Sequence, residues 1–399
     1  MSDTQPSPGV QTIYADYQAT TPVDQRVLEA MAPYWRELFG NPHSNDHVVG
    51  WRSLEAVQRA TSSVAALIGA DADEVVFTSG ATEANNLALL GLGRRASSKR
   101  PRVLVSAIEH KCVMAAARSL EEREGLVVEF IPVDEEGFLD LGTLEAMLDD
   151  SVLVVSVMAV NNEIGTIQDL PRIAALLAEH GVLFHCDAAQ APCAMDLRHL
   201  AEHADLISLS AHKMYGPQGI GALYIRRDVQ GQIEPIIYGG GQQAGLRSGT
   251  MPVPLCVGMG AAADLICASD TAPERLRVAR QRDAFVEGLR ATVPSMAING
   301  PIGSWRHPGN ANLRFEGAAA QDVLGSLQPS IAASTGAACT SGIPEPSHVL
   351  RAIGRTSAQA ESSIRFSFGR FTTDRDVEEA ARVVKNAVQS LRVAGLTTG

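Results

Sequence analysis

The chain has 399 residues, 45% of them hydrophobic and 20% charged, with a formal net charge of -12. That content can fill a large domain and a smaller one, and it excludes a disordered chain. The acidic balance argues against direct nucleic-acid binding, which wants a basic stripe; the local cluster Arg94-Arg95 with Lys99-Arg100 reads as a solvated loop.

In chain order, the first ten residues hold neither a basic n-region nor an apolar h-region, so no secretory signal is expected. Glu74 to Thr78 predicts a short strand, followed by the turn Ser79-Gly80 and a helix over Ala81 to Leu92. Val103 to Ser106 predicts a strand, Val113 to Arg123 a helix, Leu126 to Ile131 a strand and Leu141 to Leu148 a helix. Val152 to Met158 is a nearly continuous β-branched run, which suits a strand buried on both faces of a parallel sheet. A helix follows over Leu170 to His180, with Pro171 in its first turn. Val182 to Cys186, Leu206 to Leu209 and Gly221 to Ile225 are further strands. This rhythm predicts an open α/β sheet with helices on both sides.

The rhythm breaks after Pro252. Val253 to Ala268 is apolar but interrupted by Pro254, two glycines and Asp264, so it reads as a buried helix and not a membrane span. A helix over Pro273 to Ala291, strands at Ala311 to Phe315 and Ser363 to Phe368, and an amphipathic helix over Asp374 to Leu391 predict a smaller α+β domain. The expected division is a large domain over 16–262 and a small one over 1–15 and 263–399, with a small-residue loop at about 332–345.

Four constellations bear on chemistry. Asp187 and Lys213 each follow a predicted strand, where open α/β sheets bind ligands. A lysine amine and an aspartate suit an aldehyde cofactor with a pyridine ring; a surface ion pair with a loop lysine fits the spacing equally well. Only three other lysines exist, Lys99, Lys111 and Lys385. Thr78 to Glu83 forms a strand-to-helix turn, which reads alone as an N-cap by Ser79 or Thr82, and beside a cofactor lysine as a phosphate cup. Cys339 lies among small polar residues, Ser334 to Gly342, and reads either as a reactive thiol or as a small structural residue. Arg365 alternates with apolar residues, facing either solvent or a carboxylate. The other cysteines, Cys112, Cys186, Cys193, Cys256 and Cys267, read as structural free thiols of a reducing cytoplasm, and with no C-x-x-C pair no metal site is expected.

These segments resemble the cysteine desulfurases, class-V-aminotransferase-like enzymes of fold type I that use pyridoxal 5'-phosphate (PLP). The narrower likeness is to the iron–sulfur-cluster and nitrogen-fixation type with a long catalytic-cysteine loop. The resemblance runs from Tyr14 to Pro22 through Thr78 to Glu83, Glu109-His-Lys111, Val160 to Gly165, Ser210-Ala-His-Lys213, Arg247 to Thr250 and Ala338-Cys-Thr340 to Ser363 to Ser367. It implies a large domain with a mostly parallel, seven-stranded-type sheet and a small α+β domain. It implies that Lys213 holds PLP covalently, Asp187 pairs with the pyridinium nitrogen, Gln190 bonds the ring oxygen and His110 stacks on the ring. Thr82, Ser210, His212 and the Ala81 N–H would hold the phosphate. Thr250 would reach the phosphate of a neighbouring subunit, so a homodimer is expected. Asn161 and Arg365 would fix the substrate carboxylate. Lys111 matches the position after the stacking histidine and is set aside.

The implied reaction takes sulfur from L-cysteine onto Cys339 as a persulfide and releases alanine. His110 is the expected base for the Cys339 thiol. The persulfide would pass to an acceptor protein, for iron–sulfur cluster assembly, tRNA thiolation, DNA phosphorothioation or another sulfur pathway. The tail from Val393 to Gly399 and the residues Asn45 to Val48 depart from the pattern, which leaves the acceptor open. Selenocysteine lyase or a cysteine C–S lyase is the alternative on the same fold, and a non-catalytic scaffold is disfavoured by the presence of both Lys213 and Cys339.

Overall fold

The computed structural model describes residues 12–96, 99–268, 271–336 and 346–393. Cys339 and most of the expected loop lie outside the described residues. Along the chain the strands are β1 (Ile13–Tyr14), β2 (Val75–Thr78), β3 (Arg102–Ser106), β4 (Val127–Ile131), β5 (Val152–Ser156), β6 (Leu183–Asp187), β7 (Leu206–Ser210), β8 (Gly221–Ile225), β9 (Met296–Ile298), β10 (Asn310–Phe315), β11 (Ile331–Ala332) and β12 (Ser363–Ser367). The helices are α1 (Gln25–Met31), α2 (Val48–Ile68), α3 (Ala81–Arg94), α4 (Lys111–Ser119), α5 (Leu141–Met147), α6 (Leu170–Glu179), α7 (Val253–Cys267), α8 (Thr271–Arg290), α9 (Ala320–Ser326), α10 (His348–Ala352), α11 (Ser357–Glu361) and α12 (Asp374–Val393).

The chain divides into two compact units. One takes Thr20–Asn162 and Thr166–Ala272; the other takes the described residues of 1–19, 163–165 and 273–399.

The larger unit is built on a seven-stranded sheet in the order β2-β8-β7-β6-β5-β3-β4. The β4-β3-β5-β6-β7 ladder is parallel, and β8 runs antiparallel to both β7 and β2. Strand β5 is buried at every position, as its β-branched run predicts. Apolar clusters cover both faces: Leu87, Leu92 and Val113 of α3 and α4 on one, Val64, Ile173 and Met259 of α2, α6 and α7 on the other. Helix α6 starts on the Asp169 side chain, which accepts the Arg172 N–H, with Pro171 in the first turn. Helix α7 is buried through Val253, Cys256, Met259, Ala263 and Ile266, and among the described residues no single helix is long and apolar enough to cross a membrane.

The smaller unit holds an antiparallel sheet, β12-β10-β9, and a two-stranded parallel pairing of β1 with β11. Its core forms where Phe285 of α8 meets Phe366 and Phe368, with ring centroids 5.0 and 5.1 Å apart, and where Val377, Val384 and Val388 of α12 pack inward.

Candidate active site

In the larger unit, the carboxyl ends of β2, β3, β5, β6 and β7 share one edge of the sheet, because β8 reverses direction twice between β7 and β2. Asp187 and Ser210 end their strands at this edge, and Thr82, His110, Asn161 and Lys213 follow strands that end there, where α/β sheets place ligands.

At β2 the chain turns through Gly80 into α3. The N-cap is Gly80 itself, at φ 150, and no side chain caps the helix. Neither Ser79 nor Thr82 takes the capping position weighed above. The Ser79 N–H instead donates to Glu83 Oε2 at 2.7 Å, and Thr78 Oγ1 donates to the Gly80 carbonyl. A Cβ on Gly80 would meet nothing within 4 Å, whereas one on Gly221 of β8 would sit 2.6 Å from Gly80 Cα. Glycine at 221 thus lets this turn lie against the sheet, and the first N–H groups of α3 carry no side-chain cap. Arg247 forks onto Glu83 at 2.8 Å, tying the segment that carries Thr250 to the first turn of α3. Thr82 and Thr250 are exposed and Ala81 is half-buried.

At β6, Asp187 is the last strand residue and nearly buried. Its Oδ2 accepts from Asn85 Nδ2 of α3 at 2.7 Å, and its Oδ1 from the Ala189 N–H at 3.0 Å. Gln190 is buried in the turn that follows. Two residues before Asp187, fully buried His185 bridges Ser156 Oγ at 2.8 Å and Ser208 Oγ at 3.1 Å. Burial pushes its imidazole down to about 4.

At β7, Ser210 ends the strand and Ala211–Lys213 forms one 3-10 turn. Lys213 is half-buried, and its carbonyl accepts from the Cys193 thiol at 3.3 Å. His212 Nδ1 lies 3.1 Å from Thr20 Oγ1. Burial, then the Lys213 charge, pushes His212 down to about 4, so it is neutral at physiological pH. Lys213 and Asp187 therefore stand at adjacent strand ends, as expected; Lys111 starts α4 and is exposed.

After β3, His110 caps α4, accepting the Cys112 N–H on Nδ1 at 3.2 Å. Glu109 is fully buried and accepts the Met158 N–H. Burial first, then the Asp187 charge, raises its carboxyl well above the usual range. Asn161, also fully buried, donates to the Ile108 carbonyl at 2.9 Å.

In the smaller unit, Arg365 of β12 does not face solvent; it is 4% exposed and pairs with Asp16 at 2.6 Å. Ser334, at the root of the expected loop, accepts from the same guanidinium at 3.0 Å and donates to Asp16 Oδ1 at 3.1 Å. Among the described residues, no group of three or more His, Cys, Asp or Glu side chains is placed to hold a metal ion.

Sequence reasoning passed over Asn85, Cys112, His185 and Asp16 as contributors. Cys112, read as structural, is half-buried against His110, and Cys267 is exposed, contrary to a packing role. Except for His110 beside Cys112, their partners lie far off in sequence, and only the Asn85-Asn86 pair in the middle of α3 hinted at a buried polar link.

Residues 13–380 match the family model described as Aminotransferase class-V. Over 380 residues the chain is 45% identical to a protein of Rickettsia rickettsii (strain Iowa) named cysteine desulfurase IscS, covering 95% of this chain and 92% of that relative. The solved structure of a NifS-like protein superposes with a TM-score of 0.87 at 31% identity, covering 96% of this chain and all of that one. Another, described as SspA in complex with cysteine, superposes with a TM-score of 0.78 at 35% identity, covering 91% of this chain and all of that one. The chain belongs to the class-V aminotransferase family. Within it the chain groups with the cysteine desulfurases, so it is a PLP-dependent enzyme of fold type I.

Proposed function

We propose that the chain converts L-cysteine to L-alanine and carries the sulfur away as a persulfide on Cys339. The observation that carries this reading is the adjacency of Lys213 and Asp187 at neighbouring strand ends, beside a helix start that no side chain caps. These groups fit PLP: an amine for its aldehyde, a nearly buried carboxylate for its ring nitrogen and free-standing helix N–H groups for its phosphate.

When bound, PLP draws electrons from the substrate through its protonated ring, which makes the C–S bond breakable. Lys213 would anchor the cofactor and move protons at the substrate carbon. Asp187 would hold the ring nitrogen, Gln190 the ring oxygen and His110 the ring face. Ala81, Thr82, Ser210 and His212 would bind the phosphate; neutral His212 does so as a hydrogen-bond donor. Asn161 and Arg365 would fix the substrate carboxylate. A buried Arg365 whose guanidinium is held in place by Asp16 and Ser334 supports that role, since an arginine with a fixed orientation suits carboxylate recognition.

In the sulfur step the Cys339 thiolate attacks the substrate sulfur. The new S–S bond would form as the C–S bond breaks; the electron pair of the C–S bond stays with the carbon, which takes up one proton to become the methyl group of alanine. No external oxidant is needed.

We also propose a homodimer with shared sites, located in the cytoplasm. Exposed Trp35 (61%), Phe39 (63%), Trp51 (54%) and Tyr238 (69%), together with exposed Thr250, support a second copy as partner. A sulfur-acceptor protein would then collect the persulfide.

Mass spectrometry after one exposure to L-cysteine tests the reading. The Cys339 peptide should gain one sulfur atom, removable by reductant. Free sulfide and pyruvate with an unmodified Cys339 would instead indicate a lyase.

A further inference from the structure

Four side chains at the sheet edge form one directed chain of hydrogen bonds, and it starts from Asp187. The Asn85 NH2 donates to Asp187 Oδ2 at 2.7 Å. The same nitrogen lies 3.2 Å from Cys112 Sγ, so the second amide hydrogen goes to the sulfur. Thr82 also lies against this thiol. Burial pushes Cys112 up to about 11, which keeps it a thiol. The sulfur, already accepting from Asn85, lies 3.0 Å from His110 Nδ1, close enough for the thiol to donate to it once that nitrogen carries no proton. The Cys112 backbone N–H reaches the same nitrogen at 3.2 Å. Two donors thus converge on Nδ1, and the ring proton belongs on Nε2. His110 also caps the positive end of α4, which disfavours a second ring proton.

We propose that Asn85 and Cys112 lock His110 as the neutral Nε2–H tautomer, so that His110 serves the reaction as a neutral hydrogen-bond donor and not as the base that takes the Cys339 proton. A neutral imidazole at a helix N-terminus is a known means of stabilising developing negative charge. The role of His110 toward the reacting atoms rests on the PLP reading above; the tautomer does not. Asn85 and Cys112 act through His110 and are positioning residues.

The test is NMR of the protein with ring-15N histidine, with and without PLP, with the His110 signals assigned through His110→Gln. The expected wild-type spectrum shows an unprotonated Nδ1 and a protonated Nε2 at neutral pH. Cys112→Ala should give mixed tautomers and lower kcat about tenfold, the loss of one hydrogen bond's worth of positioning, with KM for cysteine unchanged. Cys112→Ser, which keeps a donor hydrogen, should restore both the spectrum and most of the rate. An Nδ1–H tautomer or an imidazolium in the wild type would overturn the proposal, as would identical ring signals in all three proteins. If PLP gives no visible absorbance on the protein while the tautomer is as stated, the cofactor reading fails and the lock stands.

Discussion

Arg365 donates to Asp16 across 2.6 Å in the interior of the smaller unit, and Ser334 bonds to both. This triangle ties β12, the N-terminal strand region and the root of the segment leading to Cys339. A guanidinium held by a carboxylate and a hydroxyl has a fixed orientation.

Removing Asp16 leaves a buried cation without its anion, which costs about 3 kcal/mol. Asp16→Ala should therefore lower the denaturation midpoint in urea and raise KM for L-cysteine at least tenfold. Asp16→Asn, which keeps an acceptor, should recover most of the stability. An unchanged KM in both variants would separate Arg365 from substrate binding.

Two buried histidines, His185 and His307, and half-buried His212 weaken the fold toward acid. Burial, opposed by the Asp187 charge, holds His185 at about 4 in place of 6.5. His212 is held at about 4 by burial and Lys213, and His307 at about 3 by burial and then Arg282 and Arg365. A folded value below the unfolded one means that the unfolded chain takes up protons first as pH falls. Stability is fully present above about 6.5 and is lost as pH drops toward about 4, on the order of 3 kcal/mol for His185 alone. Glu109, raised by burial, has the opposite sign and is destabilising at neutral pH. Thermal melts from pH 7 down to pH 4 should show a steep fall, and His185→Gln should make it shallower whatever its starting stability.

The turn into α3 gives a third expectation. Gly80 adopts φ 150, a conformation that side chains rarely take, with open space where a Cβ would stand. Gly80→Ala should cost about 1 kcal/mol or more in strain without a clash. It should also weaken PLP binding, measured by titrating the cofactor's visible absorbance, because the helix start would shift. A variant with full PLP affinity would place the phosphate elsewhere.

Much of this architecture is legible in the sequence because burial on both faces leaves a plain mark. Val152 to Ser156 reads as a central strand from its composition, and Asp169 with Pro171 marks the start of α6. The direction of β8 is not legible: Gly221–Ile225 is as fully buried as its parallel neighbours, and only pairing with β2 and β7 sets it antiparallel. The two-residue pairing of β1 with β11 carries no periodicity at all. Helix α2 spans 21 residues, but its serines and threonines dilute the apolar stripe. Within the site, Lys213 and Asp187 stand out because each follows a strand. The Asp187–Asn85–Cys112–His110 chain does not, because Asp187 of β6, Asn85 of α3 and Cys112 of α4 meet from separate elements through their side chains.

The central claim is that sulfur leaves L-cysteine for Cys339. The most direct measurement is alanine released from L-cysteine by the PLP-loaded protein, with reductant present, beside the same assay on Cys339→Ala. The account predicts steady alanine formation by the wild type, and a variant that keeps its visible PLP absorbance but makes almost none. Equal alanine formation by both proteins would contradict it and remove Cys339 as the sulfur acceptor.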